Sequence, residues 1–526
     1  MAKISVLDCT LRDGGYCNEW RFGNQNIKRI VTGLTDAGIE IIECGFLTNR
    51  VIYQMDISKY TTVAEVATMI PEDRNGKLYV CMTNFGEYRI EDLPEYDGTS
   101  IDGIRVAFHK KDLIPALHFC EKIQKKGYKV FIQAMVSLSY TDEEFLDLIH
   151  RVNEIHPYSF YIVDSFGVMK RKDLIRLFYM VEHNLNSGVA IGYHSHNNMQ
   201  LAYSNAQALV DIRTDRDLIL DSSVFGMGRG AGNLNTELFV EYLNDNLGTS
   251  YDLKPLLTII DEILNAFYQR NYWGYSLPNY LSAKHNAHPN YAGYLDAKKT
   301  LTVENMDEIF SMMSDEKRVG FDKAYIEELY TRYMERGSVR ESRLQEVKNA
   351  IVGKTVLIIA PGKSSIDEKE AILKAARQEN VISISVNFNY TEMDTDYIFL
   401  SNLRRFRELS PEKRQKCIVT SNIPALDCYL QISYKALINS YENVRDNAGM
   451  MLIRFLITVG AQRILLAGLD GYSQDVTQNL ADQKMSFFTQ KAAFDAMNAG
   501  MNAAIADFSK EIPIAFVTSP KYVTLN

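Results

Sequence analysis

Short runs rich in apolar and β-branched residues alternate with amphipathic stretches from Ile4 to about Leu247. The runs Ile4–Cys9, Ile39–Phe46, Leu78–Thr83, Gly103–Phe108, Lys129–Val136, Phe160–Asp164, Ala190–His196 and Leu218–Val224 read as strands. Between them, Asn26–Ala37, Asp112–Lys126, Asp142–Ile155 and Lys170–Asn184 carry a helical period. Thr141 followed by Glu144 has the pattern of a capping box at one helix start. Eight such units in about 250 residues predict a (β/α)8 TIM barrel. A doubly wound open sheet is the competing layout.

From Tyr251 to about Asn349 the strand pattern disappears. Leu253–Gln269, Val303–Ser314 and Lys323–Arg336 read as helices, with an aromatic-rich polar segment between the first two. This stretch is expected to be a helical extension over the barrel mouth. A new strand at Thr355–Ala360 opens a second pattern, with further strands at Val381–Val386, Tyr397–Leu400, Cys417–Thr420, Arg463–Ala467 and Ile514–Val517. The chain is therefore expected to divide into a barrel (1–250), the extension (251–349) and a smaller open-sheet, Rossmann-like α/β domain (350–526). The charged stretch Tyr333–Lys348 supplies the second boundary, and no internal repeat is present.

Composition narrows the class. The 526 residues are too many for one ordinary domain, and 46% hydrophobic with 23% charged is that of a globular protein with ample core. A net charge of −9 argues against nucleic acid or an anionic membrane as the main partner. No run is long enough to span a bilayer. The seven cysteines are scattered and never spaced CxxC, as expected in a reducing cytoplasm.

The chemistry lies at strand ends. LDCTLRDGG at Leu7–Gly15 brings Arg12 and Asp13 to the end of the first strand, and GYHSHNN at Gly192–Asn198 ends the seventh. Side chains alternate along a strand, so His194 and His196 point the same way. One carboxylate and two imidazoles suit a catalytic divalent metal, with Zn²⁺, Mn²⁺, Fe²⁺ or Co²⁺ all compatible with the residue types. An HxH pair alone is as often two ordinary strand histidines. Its coupling to Asp13 and Arg12 makes it informative.

Four motifs, TLRDG at Thr10–Gly14, IVDSFG at Ile162–Gly167, HSHNN at His194–Asn198 and GMGRGAGNLNTE at Gly226–Glu237, occur in the order of a known superfamily. They resemble the metal-dependent aldolase, lyase and acyl-synthase TIM barrels, HMG-CoA lyase-like, and within them the 4-hydroxy-2-oxovalerate aldolase branch most closely. The resemblance implies Asp13, His194 and His196 as metal ligands, Asn233 as a further ligand used in some branches, and Mn²⁺ or Mg²⁺ as the ion. It implies that Arg12 and Ser165 hold a 2-oxo acid and that Tyr275 orients an aldehyde. A 2-oxo acid chelating such an ion through carboxylate and keto oxygen has its enolate stabilised as a C–C bond breaks or forms. The chain departs from the pattern at Tyr16, where the aldolases carry a histidine. A tyrosine titrates near pH 10 and is a poor base, so Tyr16 reads as a hydrogen-bonding group, with water, Tyr275, His285 or His288 as other proton carriers.

The second domain is less legible. APGKSS follows a strand but is no P-loop, since Leu357 stands where the first glycine belongs, and GKT at Gly353–Thr355 fails likewise at Lys348. With LLAGLDGYS at Leu465–Ser473 it faintly resembles Rossmann-like transferases and pyrophosphokinases, which implies a nucleotide ligand; a purely structural or assembly role fits equally. The function expected is a metal-dependent carbon–carbon lyase joining or splitting a short, pyruvate-type 2-oxo acid and an aldehyde, in a cytoplasmic homo-oligomer. The alternatives are acyl-CoA-dependent Claisen chemistry on the same barrel, and a nucleotide-binding transferase or assembly protein with the barrel as scaffold.

Overall fold

A computed structural model describes residues 3–298, 301–336, 341–473, 475, 479–481 and 491–524, so part of the charged stretch Tyr333–Lys348 lies outside the described residues. Two compact units emerge. One comprises Met1–Ala297 with Met306–Phe321, the other Lys298–Asn305 with Asp322–Asn526.

The first unit is a closed barrel of eight parallel strands. They are β1 (Ile4–Asp8), β2 (Ile41–Leu47), β3 (Leu78–Asn84), β4 (Gly103–Phe108), β5 (Lys129–Ala134), β6 (Ser159–Asp164), β7 (Ala190–Ser195) and β8 (Leu218–Ser222). Each pairs with the next, and β1 closes the ring by pairing with β8 and with β2 (Leu7↔Ile41, Asp8↔Ile42). The expected TIM barrel is thus found. The helix starting at Asp142 carries the predicted capping box, with Glu144 N–H donating to Thr141 Oγ1 at 3.2 Å.

Strand alternation sorts the barrel interior into layers. Leu7, Ile41, Val80, Phe131, Tyr161 and Ile219 form a buried apolar floor. Two residues further along β2, β4, β7 and β8, the inward positions are Glu43, Arg105, His194 and Asp221, all buried. Gly192 makes this stacking fit, because a Cβ there would lie 2.3 Å from the Tyr161 ring. The interior is therefore apolar at the bottom and charged towards the C-terminal strand ends.

The first loop differs in detail from expectation. β1 stops at Asp8, whose carboxylate accepts from Thr10 N–H (2.9 Å) and Thr236 Oγ1 (2.7 Å). Arg12 and Asp13 ride on the helical turn Thr10–Asp13, not on the strand itself.

The second unit is a seven-stranded parallel sheet with helices. Its strands are β9 (Thr355–Ile359), β10 (Val381–Val386), β11 (Tyr397–Leu400), β12 (Cys417–Thr420), β13 (Leu430–Ile432), β14 (Arg463–Ala467) and β15 (Ile514–Phe516), in the order β13-β12-β11-β10-β9-β14-β15. β13 has only three residues, too few to show a period. The order reverses between β9 and β14. There Gly362 N–H donates to Gly468 O at 2.8 Å and Ser364 N–H to Asp470 Oδ2 at 2.8 Å. No helix among the described residues is long and apolar enough to cross a membrane.

Candidate metal centre

At the C-terminal strand ends of the barrel, one ligand atom each of Asp13, His194 and His196 lies within 4.8 Å of the others. All three residues are buried. His194 ends the inward face of β7, and His196, just beyond it, bridges to Asn233 of the glycine-rich loop. That loop closes on the carboxylate because it is glycine. A Cβ on Gly228 would fall 2.7 Å from Asp13 Oδ2 and 2.2 Å from Asn233 Nδ2.

A chain of buried ion pairs connects one ligand to another beneath the site. Arg12 Nη1 lies 2.5 Å from Asp13 Oδ1, and Arg12 Nε 2.8 Å from Glu43 Oε2. Arg105 Nη1 lies 2.8 Å from the same Glu43 oxygen and its Nη2 pairs with Asp221 Oδ2. His194 Nδ1 completes the chain at 2.9 Å from Asp221 Oδ2. Three carboxylates face two guanidinium groups in this chain, and a third guanidinium, that of Arg229, lies against His196 beside the triad. Burial pushes the Asp13 carboxyl up, but His196, Arg12, His194 and Arg229 together hold it well below the usual carboxylate range. Asp221 is lowered the same way, Arg105 and His194 outweighing its burial. His196 is held neutral, first by burial and then by Arg229 and His194.

The donor set fits a divalent cation. An ionised carboxylate and neutral imidazoles are the required forms. The Asn233 amide donates to Asp13 Oδ2 at 2.8 Å, while its Oδ1 is buried without a hydrogen-bond partner, as is His196 Nδ1. Buried polar atoms left unpaired beside an ionised carboxylate are what a coordinating ion would satisfy.

The other expected residues fall at varied distances from this centre. Arg12 Nη2 is buried and unpartnered. Ser165 Oγ accepts from Val136 N–H at 2.9 Å, which leaves the serine's own hydrogen to donate. Tyr16 stands beside the triad with the Arg229 guanidinium 5.4 Å from its ring centre. The ring is 40% exposed, yet the surrounding protein desolvates its hydroxyl and raises its pKa above the ordinary value, against the opposing pull of Arg229. Tyr275 is 48% exposed. His285 pairs with Asp307 at 2.7 Å and stacks on Phe310. His288 reaches the site through Arg229 Nη1, at 3.4 Å from its Nε2.

Sequence reading missed Glu43, Arg105, Asp221 and Arg229. The first three carried a usable signal, as each is a lone charge in an otherwise apolar strand. Arg229 sits inside a quoted motif among glycines, where nothing marks it as reaching His196.

Residues 113–263 match the HMGL-like family model. The chain is 29% identical to oxaloacetate decarboxylase of Mycobacterium tuberculosis, over 45% of this chain and 69% of that protein. It is 26% identical to 4-hydroxy-2-oxovalerate aldolase of Geobacillus genomosp. 3, over 50% of this chain and 77% of that protein. The Bacillus subtilis HMG-CoA lyase structure aligns with 51% of this chain and 94% of its own at 14% identity and a TM-score of 0.41. The HMGL-like match over residues 113–263 and the four ordered motifs agree, and both make the barrel similar to metal-dependent aldolases and lyases.

Proposed function

We propose that the barrel is a divalent-metal-dependent carbon–carbon lyase that splits or forms the bond between a short 2-oxo acid of the pyruvate type and an aldehyde. The convergence of Asp13, His194 and His196 above a buried, charged barrel layer is the observation that carries this reading. The relatives support it, being named for reactions of 2-oxo acids. Asp13, His194 and His196, with Asn233 Oδ1 beside them, would hold Mn²⁺ or Mg²⁺. When bound, such an ion supplies Lewis acidity to the oxo acid and offsets the negative charge that develops on its keto oxygen.

The protein's own groups divide the remaining work. Arg12 has one free N–H pair at Nη2 for the oxo acid's carboxylate, while its other nitrogens are fixed by Asp13 and Glu43. A guanidinium held this rigidly needs no reorganisation as charge develops. Ser165 donates its hydroxyl hydrogen to the bound acid. Tyr16, protonated at neutral pH, donates to the alkoxide of an aldol adduct. For the second unit we keep a nucleotide as the proposed ligand, on the ground that open parallel sheets bind ligands where strand order reverses.

The test is to incubate the Mn²⁺-loaded protein with pyruvate and short aldehydes and follow carbon–carbon bond formation by NMR. The expected result is metal-dependent adduct formation and metal-dependent exchange of the pyruvate methyl protons. Absence of both with every oxo acid and aldehyde tried would contradict the proposal.

A further inference from the structure

Arg229 occupies an unusual position for a cation. Its Nη2 donates to His196 Nε2 at 3.3 Å and to Ser165 O at 3.2 Å, and its backbone N–H donates to Asp13 Oδ2 at 3.3 Å. Nη1 lies 3.4 Å from His288 Nε2, the guanidinium carbon lies 5.4 Å from the centre of the Tyr16 ring, and Nε is buried without a hydrogen-bond partner. A guanidinium only donates, so His196 Nε2 must accept, and the ring hydrogen must sit on Nδ1, facing Asp13 Oδ2 at 3.7 Å.

A neutral imidazole has one lone pair. Here that lone pair is committed to Arg229. Coordination of a cation by either nitrogen of His196 needs the same lone pair, or a tautomer that turns an N–H against the Arg229 N–H. The two interactions therefore exclude one another. Arg12 is held by Glu43 and Asp13 and cannot change partners in this way.

We infer that Arg229 competes with the divalent cation for His196 and, once displaced, becomes the anchor for a second anionic group on the substrate, a carboxylate or a phosphate. This rests on the metal-centre reading above. Freed Nη2 and unpartnered Nε form a planar two-donor fork suited to either oxyanion. With Arg12 on one side of Asp13 and Arg229 on the other, the site fits a 2-oxo acid or partner aldehyde that carries one more negative group than pyruvate and a simple aldehyde supply.

The test uses the full chain, Mn²⁺ calorimetry and three variants. Arg229→Met keeps an unbranched apolar stem without the guanidinium and should bind Mn²⁺ about tenfold tighter than the parent, the worth of one charge-assisted hydrogen bond. In the parent, ¹⁵N spectra of labelled histidine before metal addition should show His196 as the Nδ1–H tautomer. With Mn²⁺ present, the parent should prefer 2-oxoglutarate to 2-oxobutyrate if the second group is a carboxylate, or bind inorganic phosphate if it is a phosphate. Arg229→Met should lose whichever is seen. Arg229→Lys, which keeps the charge without the fork, should lose most of it and serves if the methionine variant does not fold. Unchanged Mn²⁺ affinity, an Nε2–H tautomer, or anion binding indifferent to Arg229 overturns the inference. If His196→Ala binds Mn²⁺ as the parent does, the metal-centre reading itself fails instead.

Discussion

His194 donates from Nδ1 to Asp221 Oδ2 at 2.9 Å, and because Asp221 is held ionised the hydrogen of that bond belongs to the imidazole. Nε2 is thereby the ring nitrogen left for a metal. Asp221→Asn should weaken divalent-metal binding about 10–100-fold, the usual cost of losing a carboxylate behind a metal-binding histidine. Calorimetric titration with Mn²⁺ checks this, and an unchanged affinity would show that Asp221 does not orient the ring.

Arg12→Ala should abolish turnover with the metal still bound. Loss of a preorganised cation at a developing negative charge costs about a hundredfold or more in rate. The same change breaks the buried pairs to Asp13 and Glu43 and leaves Glu43 with Arg105 alone, so the barrel should also lose about 3–5 kcal/mol of stability. Arg12→Lys should rescue poorly because one ammonium cannot replace the fork that spans both carboxylates. Near-normal kcat in Arg12→Ala would remove Arg12 from the chemistry.

Tyr16→Phe should slow aldol cleavage while leaving metal and oxo-acid binding nearly intact. A hydroxyl kept protonated by desolvation can donate to an alkoxide but does not abstract a methyl proton. Solvent exchange of the oxo acid's methyl protons, followed by NMR, should therefore survive the substitution. Equal loss of exchange and cleavage would make Tyr16 the base.

His288 is pushed down to about 3, first by burial and then by Arg229 and His109. Its native form stays neutral while the unfolded chain takes up a proton near pH 6.5. The unfolded state thus binds more protons between those values. This contribution to stability is intact above pH 6.5 and is lost as pH falls towards 3. In the presence of a chelator, His288→Gln should flatten the acid loss of stability by an amount on the order of a few kcal/mol at pH 4. Urea unfolding across pH 4–7 measures it, and parallel pH profiles for the two proteins would contradict the assignment.

The barrel was legible because each strand and helix carries its own period. Asp13, His194 and His196 were legible because a carboxylate and an HxH at strand ends have few other uses. The layer beneath them was harder to read. Glu43, Arg105 and Asp221 lie 62 or more positions apart in the chain and meet only because the closed register of β2, β4 and β8 sets them at one height. Tyr275 rests on a loose motif match in an exposed segment, where burial adds no signal of its own. Arg229 was invisible because its role depends on a loop conformation set by Gly228, Gly230 and Gly232.

The metal centre is the claim on which the functional reading stands. Elemental analysis of the full chain after Mn²⁺ loading and desalting, for the parent, His194→Ala and His196→Ala, tests it most directly. The account predicts one ion per chain in the parent and strongly reduced occupancy in both variants, each still folded by circular dichroism. Equal metal content in all three folded proteins would contradict it.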